Sequence, residues 1–302
     1  MMSWEENTTQ AIENLLIYAS AKGLIETVDM PYFRNLLLDA FQLDAPAGDI
    51  VPMTDVPPTA TALLRTLCDL AVEKGLIEDM TYARDLFSAR LMGLLTPSPK
   101  EVRAHFQQCV SQGHPEQATE DFYQMCRACD YIKVDAIAQN VRYFADTPAG
   151  RLEITINLTK PEKDPKTIAL ERLQPKSGYP ACMLCKENIG YAGRINFPAR
   201  QTHRIVPIQL AGQQFYLQYS PYAYFHEHCI MLHENHKPME MDRQTLAEIF
   251  DFVAQFPHYT CGSNADLPIV GGSILSHSHF QGGRYVFPMQ KAGVAVPMTD
   301  VR

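Results

Sequence analysis

At 302 residues, with 46% hydrophobic and 20% charged side chains, the chain is long enough to bury a sizeable core in one or two domains. A formal net charge of −8 and a pI near 5.7 argue against a general nucleic-acid partner, because such domains carry a basic face. No apolar run nears the roughly 18–20 residues that span a bilayer, and the opening MMSWEENTTQ lacks the basic-then-apolar order of a signal peptide. We therefore expect no membrane partner and a cytoplasmic location, where eight cysteines point to metal before disulfide.

The first 150 residues read as helical. TTQAIENLLIYASAKGLIE opens with threonine caps and places Ile12, Leu15, Leu16 and Ala19 on one helical face. TALLRTLCDLAVEKGLIEDMTYARDLF repeats the texture: KGLIE stands at 22–26 and 74–78, and Asp29-Met30 with Tyr32 and Arg34 is echoed by Asp79-Met80 with Tyr82 and Arg84. Two copies suggest a duplicated helical hairpin, with the Pro-, Gly- and Asp-rich DAPAGDIVPMTDVPPT as the loop between them. QATEDFYQMCRACDYIKVDAIAQNVRYF is a third helical region. After Pro148-Ala149-Gly150 the texture changes. RLEITINLTK alternates like a strand, with Leu152, Ile154, Ile156 and Leu158 on one face, and QQFYLQYSPYAYFHEHCIMLH is aromatic and strand-like. DRQTLAEIFDFVAQF has helical periodicity with Asp242 as its cap, giving a helix over about 243–256. These elements predict an α+β fold: a helical region over 1–150, then a mostly antiparallel sheet with a packed helix over 151–302. No element follows GGRYVFPM to close that sheet, so the sequence reads as interrupted at its end.

Three groups of residues carry chemistry. CMLC puts Cys182 and Cys185 at the spacing of half a tetrahedral zinc site. CRAC, Cys126 and Cys129, is a rival pair, but it lies in a helical pattern where cysteine serves as a small core residue. Histidines for the other half include His226 and His228 of HEH on a strand-like run, and His236 at a strand end just before Pro238. GRINFPARQTHRIVP gathers Arg194, Arg200, His203 and Arg204; arginine forks match phosphate oxygens, although a solvated loop has equal claim. In GGSILSHSHFQGG an extended backbone over 277–281 would align His277, His279 and Gln281 on one face, about 6–7 Å apart. The flanking glycines leave backbone open to a phosphate or to another chain segment.

Together NLTKPEKDP, ACMLCKENIGYAGRINFPARQTHRIVP, QYSPYAYFHEHCI and SNADLPIVGGSILSHSHFQGGR resemble the second class of galactose-1-phosphate uridylyltransferases, a histidine-triad family. The resemblance implies a histidine-triad-like domain over 151–302 that exchanges UMP between UDP-glucose and galactose 1-phosphate through a uridylyl-histidine. It implies His279 as the nucleophile, Gln281 as a donor to the phosphoryl oxygens, and a structural zinc on Cys182, Cys185, His236 and His277. Asn264 matches the asparagine that steadies the substrate phosphate, and Arg194, Arg200, Arg204 and Ser276 join it as substrate-binding candidates. Two features depart from the family: Ser278 stands where an acidic residue is expected, and the C-terminal half that family members carry is missing. The partner expected beside the substrates is thus a second copy of the chain or that missing half. Two rivals stay open. One is a related adenylyl transferase or phosphorylase on the same triad; the other is a zinc-stabilised, nucleotide-binding fragment without turnover.

Overall fold

The computed structural model describes residues 2–148, 150–158, 177–266 and 274–291. Most of NLTKPEKDP, the run from Leu267 to Ser273 and the chain beyond Lys291 lie outside them. The expected α+β class holds. Helices α1 (Trp4–Ala21), α2 (Met30–Ala40), α3 (Thr61–Glu73), α4 (Thr81–Leu95), α5 (Pro99–Ser111), α6 (Pro115–Ala128) and the short α7 (Val134–Ile137) precede a hairpin of β1 (Val141–Thr147) and β2 (Gly150–Ile156). A five-stranded antiparallel sheet follows, built from β3 (Val206–Leu210), β4 (Gln213–Tyr219), β5 (Cys229–His233), β6 (Thr260–Gly262) and β7 (His279–Gly283) in the order β3-β4-β5-β7-β6. Helix α8 (Arg243–Gln255) connects β5 to β6, and α9 (Pro288–Lys291) ends the described chain. No helix among the described residues is long and apolar enough to cross a membrane.

Glycine makes the turn in each KGLIE segment. Gly23 and Gly75 follow α1 and α3 at φ +70° and +73°, a left-handed conformation that costs glycine nothing. In each copy the leucine that follows returns an N–H to a carbonyl of the helix: Leu24 to Ala19 at 2.9 Å, Leu76 to Ala71 at 2.8 Å. In each, the arginine after the Asp-Met pair reaches back to a carboxylate of the preceding helix, Arg34 to Glu13 and Arg84 to Asp69. Ile12, Leu15, Leu16 and Ala19 are buried as the periodicity predicts. The cap of α1 is different from that expected: Ser3 accepts from Glu6 N and Glu6 returns to Ser3 N, a capping box that leaves Thr8 and Thr9 inside the helix and buried.

Other expectations shift for stated reasons. The third helical region ends early, because Val141-Arg142-Tyr143-Phe144 pairs as β1 with β2. The boundary expected at 150/151 therefore falls inside a hairpin. Leu152, Ile156 and Leu158 are about half exposed, so the alternating face of β2 is turned to solvent among the described residues. The helices and the sheet share one core cluster, and polar contacts cross between them: the Tyr219 hydroxyl donates to Thr119 O at 2.7 Å, and Arg284 joins buried Glu227 to Glu116 of α6. The long aromatic run splits. Glu227 sits at φ +53°, which puts HEH in a turn ahead of β5 rather than on a strand. Helix α8 begins as predicted, with Asp242 Oδ1 accepting from Thr245 N at 2.8 Å.

The glycines after Gln281 answer the question of what comes close to them. A Cβ on Gly282 would sit 2.6 Å from Thr260 O, and one on Gly283, at φ +152°, would sit 2.7 Å from Glu227 O. Neighbouring chain, not a ligand, occupies that side. Gly282→Ala is expected to force β6 away from β7 and to cost about 1–3 kcal/mol, as overpacked cores do. Thermal unfolding checks this: an unchanged midpoint would show that β6 yields without cost.

Candidate active site

The site is assembled where β5, β7 and the loop after β6 meet. The run 277–281 is not uniformly extended. His277 closes a turn, donating its N–H to Ile274 O at 3.1 Å, and β7 starts two residues later. That turn sends the two histidines to different neighbours.

The His277 ring faces the cysteine knuckle. Its Nε2 lies 2.8 Å from His233 O. A carbonyl only accepts, so Nε2 carries the proton and Nδ1 presents its lone pair, 3.3 Å from Cys182 Sγ and 3.6 Å from Cys185 Sγ. His236 Nδ1 is 3.1 Å from Cys185 Sγ, and the two sulfurs are 3.3 Å apart. All four donor atoms lie within 4.8 Å of one another. The knuckle is built by buried Asn188, whose Nδ2 donates to Cys182 O at 2.8 Å and to Cys185 O at 2.7 Å, and Leu184 N donates to Cys182 Sγ. Burial, with the neighbouring Cys182 thiol, pushes the Cys185 thiol up to about 12. Two cysteines and two histidines in this spacing could hold a metal ion. The rival pair behaves otherwise. Cys126 and Cys129 are fully buried, and burial raises both thiols, Cys129 to about 11.

His279 begins β7, opposite Leu232 of β5, and Gln281 lies two residues on, between Ile230 and Gly262. Both therefore point to one face, while Phe280 between them is buried and stacks on Phe215 at 5.4 Å. His279 Nδ1 lies 2.8 Å from His277 O, which fixes the proton on Nδ1 by the same carbonyl argument. Nε2 is left with its lone pair, and its contact is a long one, 3.4 Å to Asn264 Nδ2. Burial holds the ring below the ordinary histidine range, so it is neutral at physiological pH.

The amides form a chain around that lone pair. Gln281 Nε2 donates to Asn264 Oδ1 at 3.2 Å, and Gln281 Oε1 lies 3.0 Å from His228 Nε2. His228 is buried, which lowers its basicity and leaves it one proton. Its Nε2, 3.0 Å from Gln281 Oε1, is closer to an acceptor than its Nδ1, 3.4 Å from Tyr222 O, so the proton placed on Nε2 orients the glutamine with its NH2 toward Asn264. The sequence reading missed this role for His228. Its only signal in the sequence is a second H-x-H, which reads as a metal motif; His226, the other member, is exposed and pairs with Glu227.

The remaining candidates are not gathered around His279 by any contact among the described residues. The Arg204 guanidinium is buried and committed to backbone carbonyls of Thr96, Pro97, Gln201 and His203. That is an anchor between the helical region and the sheet, and it leaves the fork no phosphate to hold. Arg194 donates to Asn196 Oδ1 and Tyr179 O, and lies over the Phe197 ring at 5.0 Å. Arg200 lies over Tyr131, whose ring also meets buried His203 at a tilt, 4.8 Å between centroids. Ser276 is exposed in the turn before His277. Ser278, where the resemblance implies an acidic residue, donates its N–H to Lys237 O at 2.7 Å, and its carbonyl extends the ladder to His233 N at 3.0 Å.

Residues 33–238 match the family model described as galactose-1-phosphate uridyl transferase, N-terminal domain. Curated relatives named galactose-1-phosphate uridylyltransferase are similar over nearly the whole chain. That of Caldanaerobacter subterraneus subsp. tengcongensis is 52% identical over 94% of this chain and 54% of its own length. That of Streptococcus pneumoniae serotype 19F is 54% identical over 93% and 56%, and that of Bacillus subtilis 47% over 93% and 55%. The chain thus spans about half the length of the relatives it matches. No solved structure matches it significantly. The matched span and these identities place the chain in the galactose-1-phosphate uridylyltransferase family.

Proposed function

We propose that the chain carries the nucleotidyl-transfer centre of a UDP-glucose–hexose-1-phosphate uridylyltransferase and takes UMP onto His279 Nε2. The observation that carries this reading is the bond from His279 Nδ1 to His277 O, which leaves a neutral imidazole with one bare nitrogen beside two amides. The Nε2 lone pair attacks the α-phosphorus of UDP-glucose and forms a P–N bond. The bond to the bridging oxygen breaks, and its electron pair leaves on glucose 1-phosphate. No proton moves in this step. The positive charge arising on the ring is drawn by His277 O through Nδ1–H, while the Asn264 and Gln281 NH2 groups donate to the phosphoryl oxygens. Galactose 1-phosphate then takes UMP in the reverse sense. Neither amide can protonate a leaving group, which favours transfer over hydrolysis. Cys182, Cys185, His236 and His277 would hold a zinc ion whose part is structural, tying the knuckle to the turn that aims His279.

A second reading rests on length. A chain spanning half its relatives can bind nucleotide and label itself without exchange, since positioning both partners matters steeply. Incubation with UDP-glucose radiolabelled in the α-phosphate separates the readings from an adenylyl transferase. Label on protein, competed by UDP-glucose and not by ADP-glucose, supports the proposal. Formation of UDP-galactose from galactose 1-phosphate would exclude the fragment reading, and absence of any label would sink both the exchange and the self-labelling readings.

The pH dependence has a definite sign. Protonation of His279 removes the lone pair, and burial sets its basicity below the ordinary value of 6.5. Self-labelling should therefore fall on acidification with a midpoint below 6.5. A midpoint above 7 would show that the labelled group is not this buried imidazole.

A further inference from the structure

Away from the sheet, helices α5 and α6 bring a second set of metal-ligating side chains together. His105 and Cys109 stand one turn apart on α5, so both face the same side, and Asp121 meets them from α6. His105 Nε2 lies 2.7 Å from Asp121 Oδ2 and 3.8 Å from Cys109 Sγ, and the three donors fall within 4.8 Å of one another. We propose that His105, Cys109 and Asp121 bind a divalent cation of the zinc class, clamping α5 to α6.

Four observations support this. The donor set is right, since imidazole, thiolate and carboxylate are the three side-chain types that zinc takes. The spacing is right: bond lengths of about 2.0–2.3 Å at a tetrahedral angle put neighbouring donors about 3.3–3.6 Å apart. The sulfur–nitrogen distance is already close to that, and the nitrogen–oxygen pair need open by only about half an ångström. The carboxylate is braced, because Gln117 Nε2 donates to Asp121 Oδ1 at 2.6 Å and leaves Oδ2 aimed at the histidine. The frame is rigid: Phe106 and Phe122, each next in sequence to a donor, are buried and meet edge to face at 6.2 Å.

Three protein donors leave a position open. His105 and Asp121 line a cavity of about 670 Å³ that Lys22 and Arg127 also line. Water, or an anionic group admitted to that cavity, can complete the shell. The His105 side chain is 57% exposed, so an ion can enter from solvent without unfolding the helices.

The test is cobalt(II) added to the full chain without a histidine tag, after one equivalent of zinc has been supplied to fill the Cys182–Cys185–His236–His277 set proposed above. One further equivalent should bind and give the near-ultraviolet charge-transfer band of a single cobalt-bound thiolate. Cys109→Ser should remove the band, and Asp121→Asn should weaken binding more than the roughly tenfold expected from Gln117→Leu, which removes only the brace. Asp121→Asn keeps size and the Gln117 bond, so the test stands even if Cys109→Ser fails to fold. A band that persists unchanged in Cys109→Ser comes from exchange into the Cys182 set and overturns the proposal. So does the absence of any band at millimolar cobalt, or binding that Asp121→Asn leaves unaltered.

Discussion

His279→Ala is expected to abolish labelling of the chain by UDP-glucose carrying label in its α-phosphate, a loss on the order of 10⁴- to 10⁶-fold, as for other covalent nucleophiles. The size follows from position. Nε2 of His279 is the bare nitrogen of a ring whose other nitrogen is bonded to His277 O, and the side chains it touches beyond that carbonyl are amides, which cannot attack phosphorus at neutral pH. His228, the other buried imidazole of the chain of amides, is separated from Asn264 by Gln281 and has its own Nε2 on that glutamine. It is therefore no substitute nucleophile. His228→Ala should instead slow labelling without abolishing it, because Gln281 loses the bond that orients its NH2. Wild-type labelling in His279→Ala would remove the assignment, and acid-labile label recovered on a peptide containing residue 279 would support it.

Loss of the knuckle metal is the second large effect. Cys182→Ser or Cys185→Ser is expected to strip about one zinc per chain and to lower the unfolding temperature sharply, while Cys126→Ser leaves the metal in place. Structural zinc in small domains binds with an apparent free energy of about 10–16 kcal/mol, comparable to the whole stability of a typical domain, roughly 5–15 kcal/mol. The loss acts at a distance, because the same residues fix the turn before β7. His277 ties the cysteines through Nδ1 and β5 through Nε2 on His233 O, and its own carbonyl holds His279 Nδ1. Without the metal the aim of the nucleophile should fail before the sheet does, so labelling should be lost at temperatures where circular dichroism still reports strands. Metal counted by mass spectrometry alongside thermal unfolding checks this. Zinc retained in Cys182→Ser and lost in Cys126→Ser would reverse the choice between the two cysteine pairs. A metal-free chain of unchanged stability would remove the structural role.

Local pattern carried much of the architecture. The 3.6-residue period of α1 and α3, the repeated KGLIE, the Asp242 cap and the alternation of β2 are short-range signals, and each became the element it announced. Pairing over long range was not legible in the same way. The α1 threonines look like caps, but the box formed by Ser3 and Glu6 starts the helix earlier. Val141–Thr147 reads as the tail of a helical region because nothing local announces its partner; it becomes a strand by meeting Gly150–Ile156. Arg204 has the composition of a phosphate ligand, and only burial against the Thr96 and Pro97 carbonyls commits it to the fold.

Local spacing alone supplied the chemical inventory: a C-x-x-C pair, an H-x-H-x-Q run between glycines, and a repeated KGLIE segment. These depend on residues within a few positions of one another, where spacing alone sets the shared face. Tertiary structure decided what each did. Cys182 and His277 are 95 residues apart and meet only because the turn at 274–277 sends that ring toward the knuckle, while β7 sends His279 to Asn264. His228, 53 residues from Gln281, enters the site because β5 pairs with β7, a contact that no periodicity encodes. Tautomers, too, are tertiary facts. Two backbone carbonyls, His233 O and His277 O, each take one ring proton and so leave Nδ1 of His277 facing the cysteines and Nε2 of His279 facing Asn264.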